Sequence, residues 1–356
     1  MASQYETQLQ ELIETIIKQG GSDLHLTAGY HPTIRVSGLL IPLVAKEILT
    51  ADDTRGYMEA LLSPENKELF LKEKEVDFSY SYQNDTVRFR GNCSFSRDKI
   101  AIALRLIPKS IRSFEELGLP PALADFARRE QGFFLVVGPV GHGKSTTLAA
   151  MIELINAERP DHIVTIEDPI EYIFEPKKSM INQREVRVDT LDFHKALIQL
   201  FRQDVDVVMI GEMRGPETIG TAVTAAETGH LVLSTLHTNN ASQTIDRIID
   251  SFPPESQSQV RVQLAGSLIG IFSQRLITRV SGGLVPAYEL LINTKAVANL
   301  IREGRTHEID SVIETGSEYG MMDMNRSLAE LVRNGIISVE DARVHSLNPA
   351  ILDKLI

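Results

Sequence analysis

The run Gly138-Pro139-Val140-Gly141-His142-Gly143-Lys144-Ser145 constrains this chain more than any other segment. It fits the pattern G-x4-G-K-[ST], which works only between a buried strand and the start of a helix. Both flanks suit it: an apolar run, Phe133–Val137, precedes it, and a helix-like stretch, Leu148–Ile155, follows. The glycines let the backbone curl so that several N–H groups face one phosphate chain, and the following helix adds the positive end of its dipole. Lys144 is expected to reach the β- and γ-phosphates of ATP, and the Ser145 hydroxyl to hold Mg²⁺. Thr146 completes the candidate nucleotide-contacting set that begins at Gly138. His142, inside the loop, is expected to face solvent.

The rest of this half fits a parallel sheet. The runs GFFLVVG, HIVTIED, VDVVMIGE and LVLSTLH are continuously apolar and are separated by helical patterns, as in strands covered on both faces. Ligands of such sheets bind beyond the carboxyl ends of the strands. Glu212 closes the run Asp206–Gly211 and is the only acid at that strand end. It is the candidate for orienting the attacking water. Ile163–Ile166 ends in Glu167-Asp168-Pro169-Ile170-Glu171. These carboxylates could hold Mg²⁺ through water or position the nucleophile, with Glu171 the first choice for a catalytic role; an acidic turn is the plainer reading. His230 and His237 flank the strand Leu231–Thr235, and both are candidate γ-phosphate sensors, since imidazole can donate to a phosphate oxygen while its other nitrogen is held.

The first hundred residues have a different character. Leu9, Leu12, Ile13, Ile16 and Ile17 fall at helical spacing and predict an amphipathic helix ending near Gly20–Gly21. Short alternating runs follow, then a helical stretch over about 51–74, then three strands with a turn expected at Gln83–Asn84–Asp85. Arg88, Arg90, Arg97 and Arg105 lie on or beside those strands, with Arg88 and Arg90 on one face. They are either solvated surface groups or phosphate contacts of the arginine-finger kind. The organisation expected is a small α+β domain over 1–106, a linker over 107–119 between Pro108 and Pro120, and an ATPase domain over 120–356 that turns helical from about 295.

Composition removes other classes. A net charge of −12 argues against a general nucleic-acid binder, which needs clustered Lys and Arg. The one cysteine, Cys93, allows neither an internal disulfide nor a cysteine-rich zinc module. No run reaches the roughly 18–20 apolar residues of a membrane span, and the N-terminus lacks a signal-peptide pattern, so a cytoplasmic location is expected.

Taken together, GPVGHGKSTT, VTIEDPIEYIF, NQREVRVDTLDFHKAL, VVMIGEMRGPETI, AAETGHLVLSTLHTNN and TIDRIIDSFP resemble the secretion-type ATPases of type IV pilus systems, and within them the retraction branch. SDLHLTAG, EVDFSY, RFRGN and RLIP extend the resemblance over the first domain. It implies a PAS-like α+β N-terminal domain followed by a RecA-like P-loop ATPase domain with a parallel sheet and a helical C-terminal part. It also implies a homohexamer that hydrolyses ATP with Mg²⁺ to retract pili. The expected partners are an inner-membrane platform protein and a paralogous pilus ATPase, with no nucleic acid. By position, Gly138–Ser145 is the Walker A loop and Glu212 the catalytic glutamate. Glu167, Asp168 and Glu171 fall in the Asp box, and His230 and His237 in the His box. Arg88, Arg90 and Arg105 match first-domain arginines that approach the phosphates. The chain departs from the branch at Gly215, usually Asp, and at Ala298, usually Arg in a motif linked to retraction. An accessory retraction motor and a nucleotide-gated scaffold are the alternatives on the same core, and a ring-shaped nucleic-acid translocase is disfavoured by charge.

Overall fold

The structure is a computed structural model that describes residues 4–36, 38–82, 87–107 and 110–356. The turn expected at Gln83–Asp85 and the boundary residue Pro108 lie outside the described residues. The chain divides into two compact units, Met1–Lys109 with Glu171–Ile173, and Ser110–Ile170 with Phe174–Ile356.

The first unit begins with α1 (Gln4–Lys18), whose buried face is Leu9, Leu12, Ile13 and Ile16. Each such side chain contributes about 1.5–3 kcal/mol on burial. Ile17, counted with that face in the sequence, is 41% exposed. β1 (Asp23–Thr27), β2 (Thr33–Val36) and β3 (Leu39–Pro42) follow. The expected single helix over 51–74 is two, α2 (Ala51–Leu61) and α3 (Pro64–Glu73). Pro64 opens the second, where its missing N–H costs nothing, and Ser63 caps it. β4 (Glu75–Tyr82), β5 (Val87–Ser96) and β6 (Lys99–Ile107) complete an antiparallel sheet in the order β3-β2-β1-β6-β5-β4. Cys93 sits at 0% exposure in this core, and burial pushes its thiol up to about 12, so it is inert packing.

In the second unit, α4 (Phe114–Leu117) and α5 (Ala122–Ala127) come first. α4 gives the expected linker a helical turn, closed by the Ser113–Glu116 capping box and by Gly118. The parallel core alternates β7 (Gly132–Val137), α6 (Lys144–Glu158), β8 (His162–Glu167), β9 (Met180–Glu185), α7 (Phe193–Leu200), β10 (Val207–Ile210), α8 (Pro216–Glu227), β11 (Leu231–Leu236), α9 (Ala241–Asp250) and α10 (Pro254–Ser267). β12 (Leu268–Thr278) and β13 (Leu284–Ile292) close the sheet. The order is β13-β12-β7-β11-β10-β8-β9, parallel except for β13. That antiparallel edge strand, with β9 and β12, is absent from the apolar runs picked out of the sequence. The C-terminal region is helical from α11 (Lys295–Glu303) through α12 (Ile309–Thr315), α13 (Met324–Arg333), α14 (Val339–His345) and α15 (Pro349–Leu355). Met324, Leu328, Ala342 and Leu352 of its last three helices pack on Ile277, Val285 and Ala287 of the β12–β13 hairpin. The described residues contain no helix long and apolar enough to cross a membrane.

Candidate active site

Every residue of β7 is buried, so the strand delivers the loop Gly138–Gly143 at a fixed height on the carboxyl edge of the sheet. Two of its glycines are needed because of what lies behind them. A Cβ at Gly138, where φ is +143°, would stand 2.3 Å from the Gln274 carbonyl oxygen of β12; at Gly143, where φ is +78°, it would meet Gln274 Nε2 at 3.0 Å. The loop is therefore pressed onto β12 with no room for side chains. The Lys144 ammonium lies under the loop, donating to Gly138 O at 2.9 Å and Pro139 O at 2.8 Å. Lys144 and Ser145 are the first two residues of α6, at its positive end. Val140 at the loop tip is 80% exposed.

Lys144 Nζ also donates to His237 Nδ1 at 3.2 Å. Because an ammonium only donates, Nδ1 is the unprotonated nitrogen and Nε2 carries the proton. Nε2 lies 3.9 Å from Glu212 Oε2, while Glu212 Oε1 pairs with Arg214 at 2.6 Å. Desolvation, then the nearby charge of Lys144, holds the His237 pKa below its usual value, against the pull of Glu212. The geometry thus joins Lys144, His237 and Glu212 at the carboxyl ends of β7, β11 and β10.

Not all the expected residues meet there. His230 precedes β11 whereas His237 follows it, and a six-residue strand spans about 20 Å. The His230 ring hydrogen-bonds Ala225 O at 2.9 Å and packs on Phe201. Flanking one strand therefore separates the two histidines instead of pairing them. Glu167 closes β8 beside β10; it is 5% exposed and accepts from Thr165 Oγ1 at 2.6 Å and Gln183 Nε2 at 3.2 Å. Asp168 is exposed, 3.8 Å from Arg187. After Pro169 the chain leaves the sheet, and Glu171 groups with the first unit. In that unit Arg90 and Arg105 are cross-strand partners on β5 and β6, and Arg88 shares their face. Arg105 Nε binds Asp23 at 2.8 Å, and Arg97 sits at φ +51° in the β5–β6 turn.

His142 does not face solvent as expected. Its Nδ1 accepts the Leu276 N–H at 2.9 Å, and its ring centroid is 6.1 Å from that of His345. The close approach of the loop to β12 brings the half-buried imidazole within reach of the Leu276 N–H. Four residues of β12 and β13 that touch this region escaped the sequence reading: Ser273, Gln274, Arg275 and Glu289. The available signal was a Ser-Gln-Arg interruption of the apolar run Ile269–Ile277.

The family profile for type II/IV secretion system protein matches residues 2–283. The chain belongs to that family. It is 44% identical over 341 residues to the type IV pilus retraction ATPase PilT of Pseudomonas aeruginosa, covering 94% of this chain and 97% of that protein. To the type IV pilus ATPase PilU of the same organism it is 39% identical over 340 residues, covering 95% and 88%. A crystal structure of the pilus retraction motor PilT with bound ADP superposes with a TM-score of 0.90 at 44% identity, covering 97% of this chain and 98% of that one. The Legionella pneumophila ATPase DotB, at 24% identity and a TM-score of 0.84 with 95% of each chain covered, shares the fold.

Proposed function

We propose that this chain hydrolyses ATP with Mg²⁺ and uses the energy to retract type IV pili. The observation that carries the ATPase reading is the convergence of Lys144, His237 and Glu212 on the glycine loop. The residues fit the group: Gly138 and Gly143, where a Cβ would collide with β12, let the loop backbone lie bare against that strand, and a buried cation lies beneath the loop. Mg²⁺-bound ATP supplies the phosphoanhydride and an electrophilic γ-phosphorus. The Gly141–Lys144 amides and the Lys144 ammonium would hold its phosphates, and the Ser145 hydroxyl would take the metal, with Glu167 and Asp168 reaching it through water. Glu212 would orient the attacking water and accept its proton. Neutral His237, with its Nε2 proton on the side of Glu212, would donate to the γ-phosphate and report its loss to Lys144 and Glu212.

The pilus role is supported by 44% identity to PilT across 94% of the chain. With it come a homohexamer, Arg88, Arg90, Arg105 and Glu171 as further contributors to the hydrolysis site, and a platform protein at the inner membrane as docking partner. The 39% identity to PilU keeps an accessory retraction motor as the second reading. ATP turnover by the purified protein tests the enzyme: it should disappear in Lys144→Ala and in Glu212→Gln, and turnover at the wild-type rate in both would sink the reading. A deletion strain tests the role, since surplus pili without twitching, restored by wild type and not by Glu212→Gln, is the expected result. Normal twitching in that strain would leave the primary role untenable.

A further inference from the structure

Four consecutive residues of β12 reach three separate parts of the second unit. Ser273 Oγ donates to Asn239 O at 2.9 Å, two residues beyond His237. Gln274 turns to the other face of the strand and meets the glycine loop. Arg275 donates to His345 O at 2.8 Å, at the end of α14, and Leu276 N–H holds the His142 ring.

Gln274 is the member placed to affect the reaction. Its side chain is 3% exposed; Nε2 donates to His142 O at 2.9 Å and Oε1 accepts from Thr147 Oγ1 at 2.6 Å. The amide orientation is dictated by the partners: a backbone carbonyl only accepts, so the NH₂ must face His142, and the carbonyl is left for the Thr147 hydroxyl. His142 O and Gly143 N–H belong to one planar peptide group and point in opposite directions. Fixing that carbonyl against β12 therefore fixes where Gly143 N–H points, away from β12. Thr147 N–H in turn donates to Gly143 O at 3.0 Å, so both ends of the Gln274 amide hold the junction between loop and helix.

We infer that Gln274 is a positioning residue for ATP binding and hydrolysis, aiming the Gly143 amide at the phosphate chain by pinning the His142–Gly143 peptide plane to the first turn of α6. The inference rests on the reading of Gly138–Ser145 as the nucleotide loop.

The test is the dissociation constant of a fluorescent ADP analogue, measured from pH 5.5 to 8.5 alongside the thermal midpoint without nucleotide. Gln274→Leu removes both bonds and should weaken binding by about tenfold or more, and Thr147→Val, which removes one, by less. Gln274→Glu supplies the distinguishing readout. As a carboxylate it offers His142 O no donor; as a neutral acid it can donate to that carbonyl and still accept from Thr147. Its ratio to wild type should be large at alkaline pH and shrink toward acid, a recovery that a purely structural side chain would not produce. Wild-type affinity in all three variants would overturn the inference, as would a pH-independent ratio for Gln274→Glu. If Gln274→Leu does not fold, Thr147→Val and Gln274→Glu decide. Absence of binding by the wild type would instead refute the nucleotide-loop reading itself.

Discussion

Two glycines of the loop make a paired test of why the motif needs them. At Gly138 an added methyl would stand 2.3 Å from the Gln274 carbonyl oxygen, with φ at +143°. Methyl and oxygen would have to separate by about 1 Å to reach ordinary contact, and the oxygen belongs to β12, which is hydrogen-bonded into the sheet on both sides. The loop is the part that must yield. Strain at such a φ costs about 1–3 kcal/mol, and overpacking about as much again. A misplacement near 1 Å can reduce turnover by about a hundredfold. At Gly141 the same methyl meets no atom within 4 Å, and only the φ of +81° opposes it. That cost is about 1–2 kcal/mol. Gly138→Ala should therefore abolish measurable ATP turnover and nucleotide binding, while Gly141→Ala keeps both at a reduced level. Steady-state kcat/KM and the nucleotide-induced rise in thermal midpoint measure the two effects. Equal losses in the two variants would show that backbone conformation alone, and not the approach to β12, sets the requirement.

Other substitutions probe the surroundings of the site. Glu289 on β13 accepts the Ala241 N–H at 2.8 Å, and burial pushes its carboxyl up to about 8 from an ordinary 4.5. The folded protein then keeps a proton that the unfolded chain releases, so this group lowers stability as pH rises from 4.5 toward 8. Glu289→Gln keeps the acceptor and should raise the thermal midpoint at pH 8 more than at pH 5; superimposed pH profiles would refute it. Desolvation holds His142, His237 and His345 below the ordinary value of 6.5, so the unfolded chain takes up protons first and stability is lost as pH falls below 6.5. Thermal midpoints of His142→Gln should fall less steeply on that side than those of the wild type, and an unchanged slope would assign the acid sensitivity elsewhere. Ala298, where the retraction branch usually carries Arg, is 7% exposed and packs in the main core. Ala298→Arg should cost about 2 kcal/mol or more in urea unfolding through the buried guanidinium, and an unchanged midpoint would show that the helix turns to release it.

What the sequence displayed was whatever leaves a local mark. Gly138–Ser145 did, because phosphate binding by backbone amides demands glycines at fixed spacing between a strand and a helix. Glu212 did, because an acid ending a fully apolar run stands at the ligand edge of a parallel sheet. The split of α2 from α3 also has a local mark in Ser63-Pro64, a cap followed by a residue suited to a first helical turn. His230 and His237 are near in sequence yet stand a strand's length apart in space, because they flank the two ends of β11. The support of the loop left only a faint trace. Gln274 lies 127 residues beyond Thr147, and nothing in either neighbourhood names the other. β12 joins β7 in the sheet only after the whole alternating core has been laid down. Its Ser-Gln-Arg is a polar interruption in a strand that otherwise reads as core, and burying such groups is costly unless each finds a partner. Ser273 and Gln274 find theirs in Asn239 and in the His142–Thr147 junction, and one guanidinium N–H of Arg275 finds His345 O. A strand that directs two buried polar side chains and one half-buried arginine to the post-β11 segment, the glycine loop and the C-terminal helices makes those three parts share one backbone. The glycine loop and the helical region that follows β12 are thus hydrogen-bonded to neighbouring residues of one strand, Gln274 and Arg275.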